Sequence, residues 1–148
     1  MSWLPRNKVL VPVDFSEPSI AALSVAKDLV REPSGLHVVH VIEFGTSLAA
    51  YPAPTDSGLT EQRDKALAKL RDVVSAEKIQ DAEAAVLYDY RHASAGITIA
   101  RYANDVGAEL IVIPTHGYTG LKRLMLGSAA QQVLHHAECP VLLLPRTD

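Results

Sequence analysis

Short runs of β-branched and leucine residues alternate along this chain with longer stretches in which apolar positions recur every three or four residues. That alternation predicts βαβ units around a parallel sheet, with five strands and four helices. The first run, residues 9–13, is apolar at every position, as a strand covered on both faces must be. After Asp14-Phe15-Ser16, Ser16 is placed to cap a helix whose early Pro18 sacrifices no internal hydrogen bond. Ile20, Leu23, Ala26 and Val30 keep helical spacing toward Pro33-Ser34-Gly35, where this helix is expected to stop. A second strand is predicted over residues 36–42. Residues 43–58, with Gly45, Pro52 and Pro54, are too many for a plain turn and suit a ligand-covering loop or a surface loop equally. An amphipathic helix follows from Leu59 to about Ser75, with Leu67, Leu70 and Val74 inward, and then a third strand over residues 84–88. Ser94 is placed to cap a third helix that aligns Ile97, Ala100, Ala103 and Val106, and Gly107 suits its left-handed exit. The fourth strand, residues 110–113, leads into Pro114-Thr115-His116-Gly117-Tyr118-Thr119-Gly120 and on to Gly127-Ser128. Ser128 is expected to open the last helix, its S-x-x-Q spacing to Gln131 resembling a capping box. Val141-Leu142-Leu143-Leu144 forms the fifth strand, entered through Pro140. No repeat, low-complexity tract or second domain interrupts the pattern, so residues 1–148 are read as one domain.

Composition narrows the function classes. With 148 residues, 48% apolar and 21% charged, the chain can bury a real core and is neither disordered nor fibrous. Fourteen Lys and Arg against seventeen Asp and Glu leave a net charge of −3, without the basic excess of a nucleic-acid binder. Cys139 is the single cysteine, so no internal disulfide forms and a reducing compartment is the simpler expectation. Pro5 and Asn7 interrupt residues 1–8 where a signal peptide needs an unbroken apolar stretch. No later apolar run approaches the ~20 residues that cross a bilayer. A cytoplasmic protein with no membrane or nucleic-acid partner is expected.

In an open parallel sheet, ligands collect beyond the carboxyl ends of the strands where strand order reverses, which directs attention to the residues after strands one and four. Gly117, Gly120 and Gly127 precede a helix start, where absent side chains let backbone N–H groups approach an anion. The amides of Ser128, Ala129 and Ala130 have no intrahelical acceptor, and the helix dipole favours negative charge there. A phosphate meets that demand, with Lys122 and Arg123 either adding charge or standing as solvated side chains. The plainer alternative is that the glycines make turns and Ser128 only caps, since neither G-x-G-x-x-G nor G-x-x-x-x-G-K-[ST] occurs. Asp14 can accept hydrogen bonds from a ribose or help hold a hydrated Mg²⁺; it can equally close an Asx turn at the helix start.

The remaining reactive side chains suggest no catalyst. Adjacent His135 and His136 point about 100° apart on a helix, and His37 and His40 fall on opposite faces of a strand, so no histidine is assigned to a metal. Cys139, before Pro140, reads as a packed, inert thiol. His116 can approach a phosphate or stabilise its own loop through a hydrogen bond. No G-x-S-x-G or acid–base pair is present, which predicts ligand binding without efficient catalysis. Slow ATP hydrolysis stays compatible, because a bound Mg²⁺-triphosphate needs only a positioned water.

Taken together, these residues resemble the universal stress protein (UspA-like) family over essentially the whole chain. The likeness runs from Val9-Leu10-Val11-Pro12-Val13-Asp14-Phe15-Ser16 through His40-Val41-Ile42 and Ala108-Glu109-Leu110-Ile111-Val112 to His136-Ala137-Glu138-Cys139-Pro140-Val141. Its most specific part is Pro114-Thr115-His116-Gly117 followed after nine residues by Gly127-Ser128. ATP-binding members of the family carry G-x2-G-x9-G-[ST] there; Gly117, Gly127 and Ser128 match, and Pro114 stands where the first glycine belongs. The resemblance implies a doubly wound, five-stranded parallel sheet of order 3-2-1-4-5, Rossmann-like and similar to the adenine nucleotide alpha hydrolases, with helices on both faces. It implies an adenine nucleotide (ATP, ADP or AMP, with or without Mg²⁺) bound by a regulatory module of the stress response. Asp14 would then meet the ribose or metal side and the Val41 backbone the adenine edge. Gly117, Gly127, Ser128 and the Ala129 amide would hold phosphates, and Pro12, Ile113 and Pro114 would line the pocket. It further implies a homodimer through Val141, Leu142, Leu143 and Leu144, which would cover an otherwise exposed edge.

Two other classes carry different expectations. A phospho-acceptor receiver domain would need an acidic cluster after strand one, an acceptor Asp after strand three and a Lys after strand five. Asp14 has no acidic neighbour, and Asp89 and Arg146 match poorly. A ligand-free dimerisation protein of the same fold, with its pocket lost, is the stronger alternative. Pro114 favours it, and the spacing of Gly117, Gly127 and Ser128 opposes it.

Overall fold

Val9 lies in register with both Leu36 and Leu110, and this double pairing places the first strand at the centre of the sheet. The computed structural model describes residues 2–43, 56–89, 94–116 and 126–145. Among them the strands are β1 (Val9–Pro12), β2 (Leu36–Glu43), β3 (Glu83–Asp89), β4 (Leu110–Pro114) and β5 (Val141–Leu144). The helices are α1 (Glu17–Ala26), α2 (Asp56–Ala76), α3 (Ala95–Val106) and α4 (Ser128–His136). All four strand pairs are parallel, and the order is β3-β2-β1-β4-β5. This is the doubly wound order that the family resemblance implies.

The uniform apolarity of β1 follows from its position. Val9, Val11 and Val13 pack with Leu23 and Ala26 of α1 and Leu70 and Val74 of α2 on one face. Leu10 points the other way, into Ile99 and Ala103 of α3 and Ala130 and Val133 of α4. Alternate residues of a strand face opposite sides, so a strand buried on both must be apolar throughout.

Several element ends differ from the sequence expectation. Helix α1 stops at Ala26 and does not reach Pro33, because residues 29–31 are drawn into extended pairing with the N-terminal segment. Arg6 N–H donates to Leu29 O at 2.9 Å, Arg31 N–H donates to Arg6 O at 2.8 Å, and Val30 bridges Arg6. A single 3-10 turn, Pro33–Gly35, then leads into β2. Helix α2 begins at Asp56, three residues before Leu59; residues 44–55 of the expected loop lie outside the described set. In α3 the buried face centres on Gly96, Ile99, Ala100 and Ala103, with Ile97 and Val106 only partly buried. Ser94 caps α3 and Gly107 leaves it at φ +71°, both as expected.

The expected capping box at Ser128 does not form. Gly127 occupies the cap position with no side-chain cap bond, and Ser128 is the first helical residue. Gln131 Nε2 instead donates to Leu126 O at 3.1 Å. A glycine cap leaves the first-turn amides without the side-chain oxygen that would otherwise occupy one of them.

Candidate functional site

The crossovers after β1 and β4 leave toward opposite faces of the sheet, so their carboxyl ends are not covered by one common connection. A cleft of about 440 Å³ opens there. Its wall includes Pro12 and Asp14 from the end of β1, Val41 from β2, Ile113 and Pro114 from β4, and Ser128 and Ala129 from α4. Seven of the nine residues singled out from the sequence therefore meet in one place. Gly127 stands just behind the wall, its N–H bonded to Thr115 O at 2.7 Å. Gly117 lies outside the described residues, as do Gly120, Lys122 and Arg123.

Asp14 serves the helix start and still faces the cleft. Its Oδ1 accepts from the Ser16 N–H at 3.0 Å and from the Ser16 hydroxyl. Ser16 Oγ in turn accepts from the Ser19 N–H at 3.3 Å, which makes Ser16 the cap of α1. Oδ2 enters no hydrogen bond among the described residues, so the capping role leaves one oxygen available.

The sequence did not single out Val39, His40, Glu43, Ala95, Ile99 and Thr115, which also line the cleft. Strand parity with Val41 would have pointed to Val39, and adjacency to Pro114 pointed to Thr115. Ala95 and Ile99 come from α3, which reaches the cleft only because β4 inserts beside β1; no local pattern encodes that. His40 is held by its Nδ1, 2.7 Å from Val13 O. A carbonyl can only accept, so Nδ1 carries the proton of this bond.

His116 turns away from this wall. It is 3% exposed, its Nδ1 lies 3.0 Å from Thr115 Oγ1, and it does not line the cleft. The Nδ1 contact is of the loop-stabilising kind, while the buried Nε2 has no hydrogen-bond partner among the described residues.

The electrostatics are one-sided among the described lining residues: Asp14 and Glu43 are acidic, and no Lys or Arg is present. Positive potential on the described wall comes from the first-turn amides of α4. At the carboxyl end of β3, Asp89 Oδ2 accepts from the N–H of Ser94, the cap of α3, at 3.1 Å. That carboxylate is 5% exposed.

The other groups considered from sequence sit apart. Burial pushes the Cys139 thiol up, only partly offset by a backbone hydrogen bond, which fits an inert thiol. His37 lies on the α3 side of β2 and His40 on the α1 side, beside Phe15. Among the described residues, no group of three His, Cys, Asp or Glu side chains is arranged to hold a metal, and no helix is long and apolar enough to cross a membrane.

Comparison with known proteins gives this geometry a lineage. The chain is 30% identical over 145 residues to the universal stress protein YxiE of Bacillus subtilis, covering 93% of this chain and 98% of that one. Two solved universal stress proteins share the fold. One, from Archaeoglobus fulgidus and in complex with dAMP, superposes with a TM-score of 0.57 at 23% identity, covering 95% of this chain and 98% of its own. Another, in complex with cAMP, gives a TM-score of 0.65 at 16% identity, covering 97% and 99%. The sequence profile of the universal stress protein family matches residues 5–145, and with the sheet order and the relatives at hand the chain belongs to that family.

Proposed function

We propose that this chain binds an adenine nucleotide in the cleft between β1 and β4 and acts as a regulatory module of the stress response. The observation that carries this reading is the convergence of Pro12, Asp14, Val41, Ile113, Pro114, Ser128 and Ala129 on one cleft at the reversal of strand order. The dAMP and cAMP complexes of two relatives support the ligand class. Asp14 Oδ2 is the acceptor for a ribose hydroxyl or a metal-bound water. Val41 presents its backbone to the base, and Ser128 and Ala129, with Gly117, receive phosphate, while Gly127, whose N–H is bonded to Thr115 O, supplies the close turn into α4 and not a donor. ATP, ADP and AMP all satisfy this chemistry, ATP with Mg²⁺ as its counter-ion. We assign binding and signalling, not turnover, to this cytoplasmic, single-domain chain.

The module works as a homodimer joined along β5. Leu142 on β5 is 37% exposed and Leu134 on α4 is 42% exposed, an apolar edge that a second copy would cover.

The deciding experiment is to purify the protein without added nucleotide, denature it, and identify any released small molecule by chromatography and mass spectrometry. Stoichiometric adenine nucleotide supports the reading. An empty protein that also fails to bind added ATP or AMP overturns it. The outcome would then favour the ligand-free dimer, for which Pro114 speaks: it has no N–H to offer at the cleft wall.

A further inference from the structure

We propose that Lys69 of α2 is a positioning residue for the cleft, acting through the ring of Phe15 on the turn that carries Asp14. The proposal deepens the nucleotide-binding reading and rests on it for its effect on affinity.

Phe15 stands between Asp14 and Ser16 at φ +66°. A bulky L-residue enters that region at a steric cost, because its Cβ crowds the neighbouring carbonyl. Such a conformation persists only where the surroundings over-determine it. Phe15 packs against the apolar cluster that includes Val13, Leu23 and Leu70, and two side chains from other elements close on its ring. The Phe15 ring lies 4.7 Å from the His40 imidazole at an interplanar angle of 39°. The Lys69 ammonium stands 4.4 Å from the Phe15 ring centroid, where the negative face of the ring attracts it. His40 is itself fixed to Val13 O. A continuous row, Val13–His40–Phe15–Lys69, thus runs from the cleft wall to α2.

The two ends of this row differ in kind. Val13, Asp14 and His40 line the cleft, whereas Lys69 does not and is exposed. Lys69 enters no ion pair or hydrogen bond among the described residues, so the aromatic ring is the partner the structure gives it. Its contact route to a ligand runs through Phe15, and with Phe15 the carboxylate next to it in the chain, whereas a direct pull of its charge on the ligand would survive in Phe15→Gly.

The Ser16 N–H donates to Asp14 Oδ1 at 3.0 Å, so its hydrogen exchange reports the Asp14 turn without any ligand. Ser16 exchange and AMP affinity are to be measured on the same full-length preparations of Lys69→Gln, Lys69→Arg, Phe15→Gly and the Phe15→Gly/Lys69→Gln double variant. Lys69→Gln should speed Ser16 exchange and weaken AMP binding about two- to fivefold, the range of an exposed cation–π contact. Lys69→Arg, which keeps a cation over the ring, should restore both. Glycine tolerates the positive φ but has no ring, so in the Phe15→Gly background Lys69→Gln should add nothing. Unchanged Ser16 exchange in Lys69→Gln, failure of Lys69→Arg to restore it, or a Lys69→Gln effect that survives in Phe15→Gly overturns the proposal. Altered exchange with unaltered AMP affinity removes the positioning role. If the wild type binds no adenine nucleotide, the nucleotide reading falls, and Ser16 exchange still decides whether Lys69 holds the turn.

Discussion

Gly96 of α3 presses directly on Ala129 of α4. A β-carbon added at Gly96 would collide with the Ala129 carbonyl oxygen and stand 2.6 Å from Gln132 Cβ and 3.1 Å from Ala129 Cα. Backbone cannot swing aside as a flexible side-chain tip can, so the first turn of α4 would have to move. Gly96→Ala gains up to about 1 kcal/mol of helix propensity and loses about 1–3 kcal/mol to overpacking. We expect a net loss of about 1–2 kcal/mol in urea unfolding. AMP affinity should fall as well, because Ala129 lines the cleft.

Ser16 separates the two duties of Asp14. Ser16→Ala removes the hydroxyl that caps α1 and bonds Asp14 Oδ1, while leaving the Ser16 N–H bond to that oxygen in place. Loss of such a cap costs about 1 kcal/mol, to be read from the urea midpoint. Asp14→Ala removes the Asx turn and the free Oδ2 together, so it should abolish AMP binding in calorimetry where Ser16→Ala only weakens it. Equal affinities in these two variants would exclude Asp14 as a ligand contact.

Stability should fall on mild acidification, and His37 supplies the reason. Burial lowers its pKa, Lys8 lowers it further, and Glu83, its register partner on β3, pulls it back up. The unfolded chain therefore binds this proton more readily than the folded one. The associated stability is complete above about pH 6.5, the ordinary histidine value, and is lost as pH drops toward the lowered folded value. Urea midpoints at pH 7.5 and 5.5 should differ less in His37→Gln than in the wild type. Glu83→Gln should steepen the dependence and Lys8→Met should flatten it.

Charging the outer edge tests the dimer. Leu142→Asp places a carboxylate on β5 where a second copy would pair, at a side chain already 37% exposed. Sedimentation should report a folded monomer at a protein concentration where the wild type sediments as a dimer. A wild-type protein that sediments as a monomer would remove the edge-paired assembly.

Much of the fold was legible because burial wrote itself into local patterns. The unbroken apolar run of β1, the Ser94 cap and the Gly107 exit each reflect chemistry confined to a few residues. The end of α1 was not legible, since Val30 keeps helical spacing and yields to a pairing partner at Arg6. The Ser128 capping box failed for a similar reason: the spacing fits, but Gly127 takes the cap while its N–H is held by Thr115 O. At the cleft, the residues on the loops that follow β1 and β4 could be found from general rules of open sheets. Ala95 and Ile99 could not, because their place depends on strand order.

Thr115 gives one last consequence. Its N–H donates to Leu144 O of β5 at 3.0 Å, and its own carbonyl accepts from Gly127 at the start of α4 at 2.7 Å. A single residue, through the two peptide units that flank its Cα, thus moors the rim of the sheet on one side and the head of a helix on the other. A sideways pull on β5 must be shared with the amides at the cleft. By thermodynamic reciprocity, whatever free energy a neighbour at the rim adds to or takes from ligand affinity, the ligand returns in equal measure to the neighbour.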